Sequence, residues 1–265
     1  MPFAENKGVR TYYEVTGEGP DFVMLHANPC DHRMWMYQIA AFSRRFRVIA
    51  TDMRGYGRTD KPETPYGFEE LAEDVYAVCE QEGVTSGILA GASMGSKTAF
   101  KIGIDRPDLF QALIHVGGNS FRGSSYDGRA EGTLGGDIPA YRAEHLAELF
   151  APGFSETPRG RYLSQVILED SYTLSGPALS SLFHSFDGVE LAKQVSAIKV
   201  PVQIVNGIHD NSLEGGRKTA ALIDGARHEI IENAGHLCCL EEPAAFDAIA
   251  TRFLQEFGLW PEIPA

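Results

Sequence analysis

The sequence predicts an α/β fold, in which a mostly parallel β-sheet is flanked by helices and carries an inserted helical cap. Three observations lead to this prediction. Along most of the 265 residues, apolar runs typical of strands alternate with amphipathic patterns typical of helices. A serine lies on a sharp turn between one such strand and one such helix. Between residues 118 and 197 the strand pattern stops and helical patterns replace it, so the core is expected at 1–117 and 198–265.

In the core, strands and helices are expected to alternate along the chain. Residues 68–82 form the clearest helix, because Leu71, Val75 and Val78 share one face and Gly83 ends the pattern. Residues 244–257 repeat apolar side chains at helical spacing up to Gly258. Strands are expected at 9–15, 22–26, 46–51, 85–90, 111–116, 200–207 and 227–232, and further helices at 33–43 and 96–106.

The insertion at 118–197 begins with a glycine-rich loop at 123–136, followed by helical stretches at 140–150, 157–168 and 176–186. Such a length is too great for a plain connection between two strands, and we interpret it as a cap over the sheet edge. Its aromatic side chains are numerous enough to wall an apolar pocket, although aromatics at helical spacing more often pack a cap onto a core. They are Phe121, Tyr126, Tyr141, Phe150, Phe154, Tyr162, Tyr172, Phe183 and Phe186.

The composition narrows the classes of partner. Hydrophobic residues make up 43% and charged residues 22% of the chain, as in ordinary folded domains. A formal net charge of −13 argues against a nucleic-acid partner, which requires basic patches. No apolar run approaches the roughly 18 residues of a membrane helix, and the first residues do not resemble a signal peptide. We therefore expect no membrane partner, a small-molecule substrate, and a monomer or homodimer.

The four cysteines predict neither a metal site nor disulfides. Cys30, Cys79, Cys238 and Cys239 show no spacing suited to zinc, and the two adjacent ones are poorly placed to bridge each other. Free thiols fit a reducing cytoplasm, which is the expected location. Neither a glycine-rich phosphate loop nor a flavin signature is visible, so no cofactor is expected.

The stretch Gly91-Ala92-Ser93-Met94-Gly95 carries the most information in the chain. A G-x-S-x-G sequence between a strand and a helix holds its serine on a strained turn, with the hydroxyl exposed above the sheet. An ordinary Gly-Ser turn before a helix is the alternative explanation, and the pentapeptide alone does not exclude it.

Two later residues favour the catalytic interpretation of Ser93. Asp210 follows the strand at 200–207, and His236 follows the strand at 227–232. Because the carboxyl ends of parallel strands share one edge, we expect these three side chains to converge there. A serine needs a base to accept its proton, and histidine can act as one near neutral pH while an aspartate orients its ring. A turn aspartate and a buried structural histidine are the alternatives; His209 is the nearest rival base.

Together these motifs make the chain resemble the α/β-hydrolase family, in its serine esterase and lactonase branch, over nearly its whole length. The resemblance is carried by the Ser93 turn and by the segments at 25–29, 52–62, 207–210, 235–237 and 241–243. It implies that the N–H groups of Asn28 and Met94 form an oxyanion hole, and that His26 and residues 52–61 are structural. Relatives that open epoxides or remove halides carry aspartate at the nucleophile position, so Ser93 argues against both activities.

Two positions depart from the family pattern. Ala27 follows His26 where the family usually has glycine, which would displace the oxyanion loop slightly. Ser96 replaces a glycine often found after the serine turn, which would narrow the contact between helix and strand or add a polar group.

The leading functional hypothesis is a cofactor-independent serine hydrolase that cleaves a small carboxylic ester or lactone through an acyl-enzyme. The alternatives are a hydrolase of carbon–carbon bonds in a dienoic or diketone acid, a perhydrolase, and a non-catalytic ligand receptor on the same fold. Trp35 follows the oxyanion loop and is a candidate substrate contact, with core packing as an equal alternative. Arg122, Arg129 and Arg142 are candidates for holding a substrate carboxylate, although solvated surface charge explains them more simply.

Overall fold

The apolar runs of the sequence assemble into one mixed β-sheet in the computed structural model, which describes residues 2–123, 126–185 and 190–262. Eight strands make up this sheet within the described residues. They are β1 (Phe3–Asn6), β2 (Val9–Thr16), β3 (Asp21–Leu25), β4 (Arg47–Thr51), β5 (Gly87–Ala92), β6 (Phe110–Val116), β7 (Val202–Gly207) and β8 (Arg227–Ile231).

The strands are arranged in the order β1-β2-β4-β3-β5-β6-β7-β8. All pairings from β4 to β8 in this order are parallel, whereas β1 pairs antiparallel with β2 and β2 pairs antiparallel with β4. The carboxyl ends of the parallel strands therefore meet at one edge of the sheet. This arrangement confirms the predicted fold class.

Helices connect the strands and cover both faces of the sheet. On β3, Phe22 and Met24 enter one buried apolar cluster, whereas Val23 and Leu25 enter the other, as the period of two in a strand requires. The helices are α1 (Met36–Phe42), α2 (Phe68–Glu82), α3 (Met94–Asp105), α4 (Tyr126–Leu134), α5 (Ile138–Leu146), α6 (Pro158–Leu168), α7 (Gly176–His184), α8 (Leu191–Gln194), α9 (Leu213–Leu222), α10 (Cys238–Glu241) and α11 (Pro243–Glu256). Within the described ranges, no helix combines the length and apolarity needed to cross a bilayer.

Between β6 and β7 the described residues form helices and no strand. Helix α4 lies where the sequence predicts a glycine-rich loop, so that prediction was wrong. Gly128 and Gly132 lower the intrinsic helix propensity, but α4 buries Ala130 and Thr133. Helix α7 approaches closely enough that a Cβ on Gly176 would lie 2.4 Å from the Thr133 carbonyl oxygen. Packing therefore overrides local propensity here. Phe186, the end of a predicted helix, lies outside the described residues.

Candidate active site

The turn that carries Ser93 is strained, as the pattern around it predicts. Ser93 has φ 51° and ψ −106°, between the end of β5 and the start of α3. Such a backbone is rare outside glycine and costs about 1–3 kcal/mol. A Cβ on Gly91 would lie 2.3 Å from the Gly95 oxygen, and a Cβ on Gly95 would lie 2.4 Å from the Leu25 oxygen. Only glycine fits at either position, so the spacing of the motif follows from packing.

His236 lies on the loop between β8 and α10, and an aspartate holds its ring. Its Nδ1 is 2.7 Å from Asp210 Oδ1, and the side chain is largely buried. Gly117, directly after β6, has φ 57°, and a Cβ there would approach the His236 ring to 2.8 Å. The absence of that Cβ leaves the space that the imidazole occupies.

Asp210 is a buried carboxylate with several hydrogen-bond donors. It accepts the Ser212 N–H at 2.8 Å and the Asn206 Nδ2 at 2.6 Å, in addition to the His236 ring. Burial by itself would raise the pKa of Asp210, but the His236 charge and these donors lower it to about 2. Asp210 is therefore ionised at neutral pH, where it favours the tautomer of His236 that leaves Nε2 unprotonated.

Ser93 and His236 line one cavity of about 350 Å³ at the carboxyl edge of the sheet. Asn28 and Met94 line it as well. Among the hydrogen bonds of the described residues, none joins Ser93 Oγ to the His236 ring; the two side chains are related by the cavity that they share. The remaining lining residues are Lys97, Gly117, Asn119, Phe121, Arg122, Gly123, Tyr126, Arg129, Leu182, Phe183, Asn211, Ser212 and Gly215.

The two residues expected in the oxyanion hole lie in the loop after β3 and directly after Ser93. Met94 is the first residue of α3, so its N–H has no partner within the helix. The side chain of Asn28 accepts the Tyr56 hydroxyl at 2.7 Å, which anchors the loop after β3. The Gly95 N–H donates to the His26 oxygen at 3.2 Å and ties this loop to the serine turn.

Trp35 lies away from the cavity, contrary to the expected substrate contact. Its side chain is fully buried and packs against Phe246 with ring centroids 6.3 Å apart. Trp35 therefore belongs to the core, which was the alternative interpretation of this residue. The rival base His209 is exposed and does not line the cavity.

Of the aromatic residues expected around a pocket, Phe121, Tyr126 and Phe183 line the cavity. Phe150 and Phe154 instead pack against each other, 5.1 Å apart. Tyr162 and Tyr172 are largely exposed, whereas Tyr141 borders a smaller neighbouring pocket and Phe186 lies outside the described residues.

The arginines divide between the cavity and the interior. Arg122 and Arg129 line the cavity. Arg142 is buried and donates to the carbonyl oxygens of Pro29 and Ile167, so it ties helix α5 to the loop after β3.

The residues expected to be structural are held by internal hydrogen bonds. His26 Nε2 accepts the Met53 N–H at 2.8 Å, and its Nδ1 faces the Ala27 oxygen at 2.9 Å. Ser96, the departure after the serine turn, places its Oγ 2.9 Å from His115 Nδ1, so it adds a polar group behind the site. Burial lowers the pKa of His115 to about 3, which keeps that ring neutral.

Asp31, His32 and Asp52 form a buried group whose spacing would suit a metal ion. Asp52 already accepts two donors from His32, at 2.8 and 2.6 Å, and the Arg58 N–H at 2.8 Å. Asp31 pairs with Arg33 at 2.7 Å. These contacts explain the cluster as a hydrogen-bonded support for the loop after β4.

The sequence reasoning missed several residues of the site. Asn206 and Ser212 donate to Asp210, and their positions four residues before and two residues after it were the available signal. Lys97 was also missed; its position four residues after the serine, one helical turn along α3, was the available signal.

Comparisons with known proteins identify the family of the fold. The family model for the alpha/beta hydrolase fold matches residues 20–243. The AB hydrolase superfamily protein YisY of Bacillus subtilis is 29% identical over 92% of this chain and 95% of its own. The enol-lactonase of Burkholderia xenovorans LB400 superposes with a TM-score of 0.89 and 26% identity, covering 96% of this chain and 100% of its own. The esterase EaEST of Exiguobacterium antarcticum superposes with a TM-score of 0.86 and 26% identity, covering 96% of this chain and 98% of its own.

The chain belongs to the α/β-hydrolase family. Its similarity to an enol-lactonase and to an esterase supports hydrolase activity.

Proposed function

We propose that the protein is a cofactor-independent serine hydrolase that cleaves a small carboxylic ester or lactone through an acyl-enzyme. Ser93 is the nucleophile, His236 the general base and Asp210 the acid that orients the histidine. One observation carries the proposal: Ser93, on its strained turn, shares a cavity wall with a histidine whose far nitrogen is held 2.7 Å from a buried carboxylate.

In the proposed reaction, His236 Nε2 takes the Ser93 Oγ proton as Oγ attacks the acyl carbon. The carbon–oxygen bond to the leaving group then breaks, and the imidazolium returns its proton to the leaving alkoxide. In a lactone this alcohol stays attached to the acyl chain. Water, deprotonated by the same imidazole, next attacks the acyl-enzyme and releases the acid and free Ser93.

Two features of the fold support charge stabilisation during this reaction. The N–H groups of Asn28 and Met94 are proposed to bind the oxyanion of the tetrahedral intermediate. Met94 begins α3, and the partial positive charge at a helix N-terminus favours negative charge there. Asp210, ionised because its pKa is about 2, stabilises the transient imidazolium.

The segment 118–197 is proposed to act as the cap of this site. Phe121, Tyr126, Arg129 and Phe183 belong to it and line the cavity together with Ser93 from the core. The cap would exclude water and select substrates by the shape and charge of its inner surface.

The nucleophile assignment can be tested with p-nitrophenyl acetate and a fluorophosphonate probe. Wild-type protein should turn over repeatedly and carry the probe on Ser93, identified by peptide mass spectrometry. Ser93→Ala should lose about 10⁴- to 10⁶-fold in kcat and resist labelling. Ser86→Ala is the matched control, because Ser86 is exposed before the start of β5, at the opposite end of that strand. Near-normal turnover by Ser93→Ala would refute the assignment.

The same experiment separates the alternatives. A ligand receptor on this fold would release at most one equivalent of p-nitrophenol and then stop. A carbon–carbon hydrolase would prefer a dienoic or diketone acid to any ester in a panel, while still requiring Ser93.

A further inference from the structure

The charge of the candidate cavity is opposite to the charge of the chain. The protein has a formal net charge of −13. The cavity wall nevertheless carries three basic side chains, Lys97, Arg122 and Arg129, and none of its described lining residues is acidic. The chain has 23 basic residues against 36 acidic ones, so a cavity wall with basic residues and no acidic ones differs from the chain as a whole. Such a cavity favours the binding of an anion.

Lys97 is the most constrained of the three cations. It lies on α3 one turn after Ser93, where its backbone N–H donates to the backbone carbonyl oxygen of Ser93 at 3.1 Å. The side chain is buried, and its Nζ donates to the Asn119 oxygen at 2.9 Å and to the Phe121 oxygen. Burial lowers the pKa of Lys97 to about 7, because it disfavours the charged form. A negatively charged ligand in the cavity would offset that cost.

The two arginines approach the same cavity from the segment 118–197. Arg122 lies in the loop before α4 and pairs at 2.6 Å with Asp127, whose own side chain is largely exposed. Arg129 lies on α4, is half-buried, and borders both the main cavity and the smaller pocket beside it. A guanidinium fork is well matched to the two oxygens of a carboxylate.

We propose that the substrate is an ester or lactone bearing a carboxylate, and that Lys97 and Arg129 select it over neutral analogues. The proposal rests on the proposed serine hydrolase function and adds the charge of the substrate to it. Neighbours one helical turn apart are separated by about 5–6 Å at Cβ, so the carboxylate is expected a few carbons from the scissile carbonyl.

The test compares two esters of similar length in the intact protein. Mono-p-nitrophenyl adipate carries a terminal carboxylate, and p-nitrophenyl heptanoate does not. Wild-type protein should prefer the adipate ester by about tenfold or more in kcat/KM. Removal of a charge-assisted contact should lower this preference by up to about tenfold, towards equal kcat/KM for the two esters, in Arg129→Gln and in Lys97→Met. Arg129→Lys should keep part of the preference.

Lys193→Gln is the matched control, because Lys193 is an exposed cation on α8 that does not line the cavity. It should leave the preference as in wild type. The ratio of the two kcat/KM values is the readout, so a general loss of activity in a variant does not affect the conclusion.

A second readout does not need turnover. Hexanoate should protect Ser93 from a fluorophosphonate probe better than hexanamide at the same concentration, and Arg129→Gln should remove the difference. Equal rates for both esters and equal protection by both ligands would overturn the charge proposal while Ser93-dependent turnover left the hydrolase proposal standing. If Ser93 neither labels nor supports turnover, the proposed function fails first.

Discussion

Glu241 offers the sharpest test of how the insertion and the histidine loop are joined. This residue ends α10 and is fully buried. One carboxylate oxygen accepts the Gly235 N–H and the other accepts the Ala151 N–H, both at 2.7 Å. Gly235 directly precedes His236, and Ala151 belongs to the segment 118–197. Glu241→Gln keeps the shape but supplies one acceptor oxygen, so one buried N–H loses its partner at a cost of about 1–3 kcal/mol.

The pH dependence of this variant can be worked out from the structure. Burial raises the folded-state pKa of Glu241 from 4.5 to about 7, although the two backbone donors oppose the rise. Between these values the folded protein binds a proton that the unfolded chain has released. The contribution of Glu241 to wild-type stability should therefore fall as the pH rises through this window. At about 1.4 kcal/mol per pH unit, the total is about 3 kcal/mol. Glu241→Gln cannot ionise and lacks this contribution.

Urea denaturation at a series of pH values from 5 to 8.5 measures the effect. The gap in unfolding free energy between wild type and Glu241→Gln should move by about 3 kcal/mol in favour of the variant as the pH rises. Glu232→Gln is the control, because Glu232 is exposed near the same loop. The difference in unfolding free energy between wild type and Glu232→Gln should stay constant over this pH range. A constant gap for Glu241→Gln as well would refute the reasoning.

Two further predictions concern the serine turn and the histidine. Asp210→Asn should lower kcat by about 10⁴-fold, by analogy with other serine hydrolases, because an amide no longer favours the reactive tautomer of His236. Steady-state kinetics with p-nitrophenyl acetate checks this, and a loss below tenfold would contradict it. Gly95→Ala should unfold or strongly destabilise the protein, because its Cβ would lie 2.4 Å from the Leu25 oxygen. Gly128→Ala on α4 meets open space and should be neutral or stabilising by up to about 1 kcal/mol. Equal melting temperatures for Gly95→Ala and Gly128→Ala would show that the close approach of Gly95 to the Leu25 oxygen does not determine stability.

Local patterns in the sequence were sufficient to predict an element when the signals that define it lie within that element. Helix α2 was predicted to its observed bounds, because its apolar face and the left-handed Gly83 are both local signals. The core strands from β2 to β8 were predicted within a few residues. Strand β1 was missed, because it is short and becomes a strand by pairing with β2 across the Lys7-Gly8 turn.

For the site, the sequence by itself determined the chain order of Ser93, Asp210 and His236 and the edge of the sheet at which they meet, since parallel strands place their carboxyl ends together. The tertiary structure decided which neighbours complete it. Trp35 went to the core and Lys97 to the cavity because burial depends on what packs against a residue from distant parts of the chain. The positive charge of the cavity also depends on the tertiary structure. Net charge is a sum over the whole chain, whereas the charge of a cavity depends only on the residues that the fold brings to its wall.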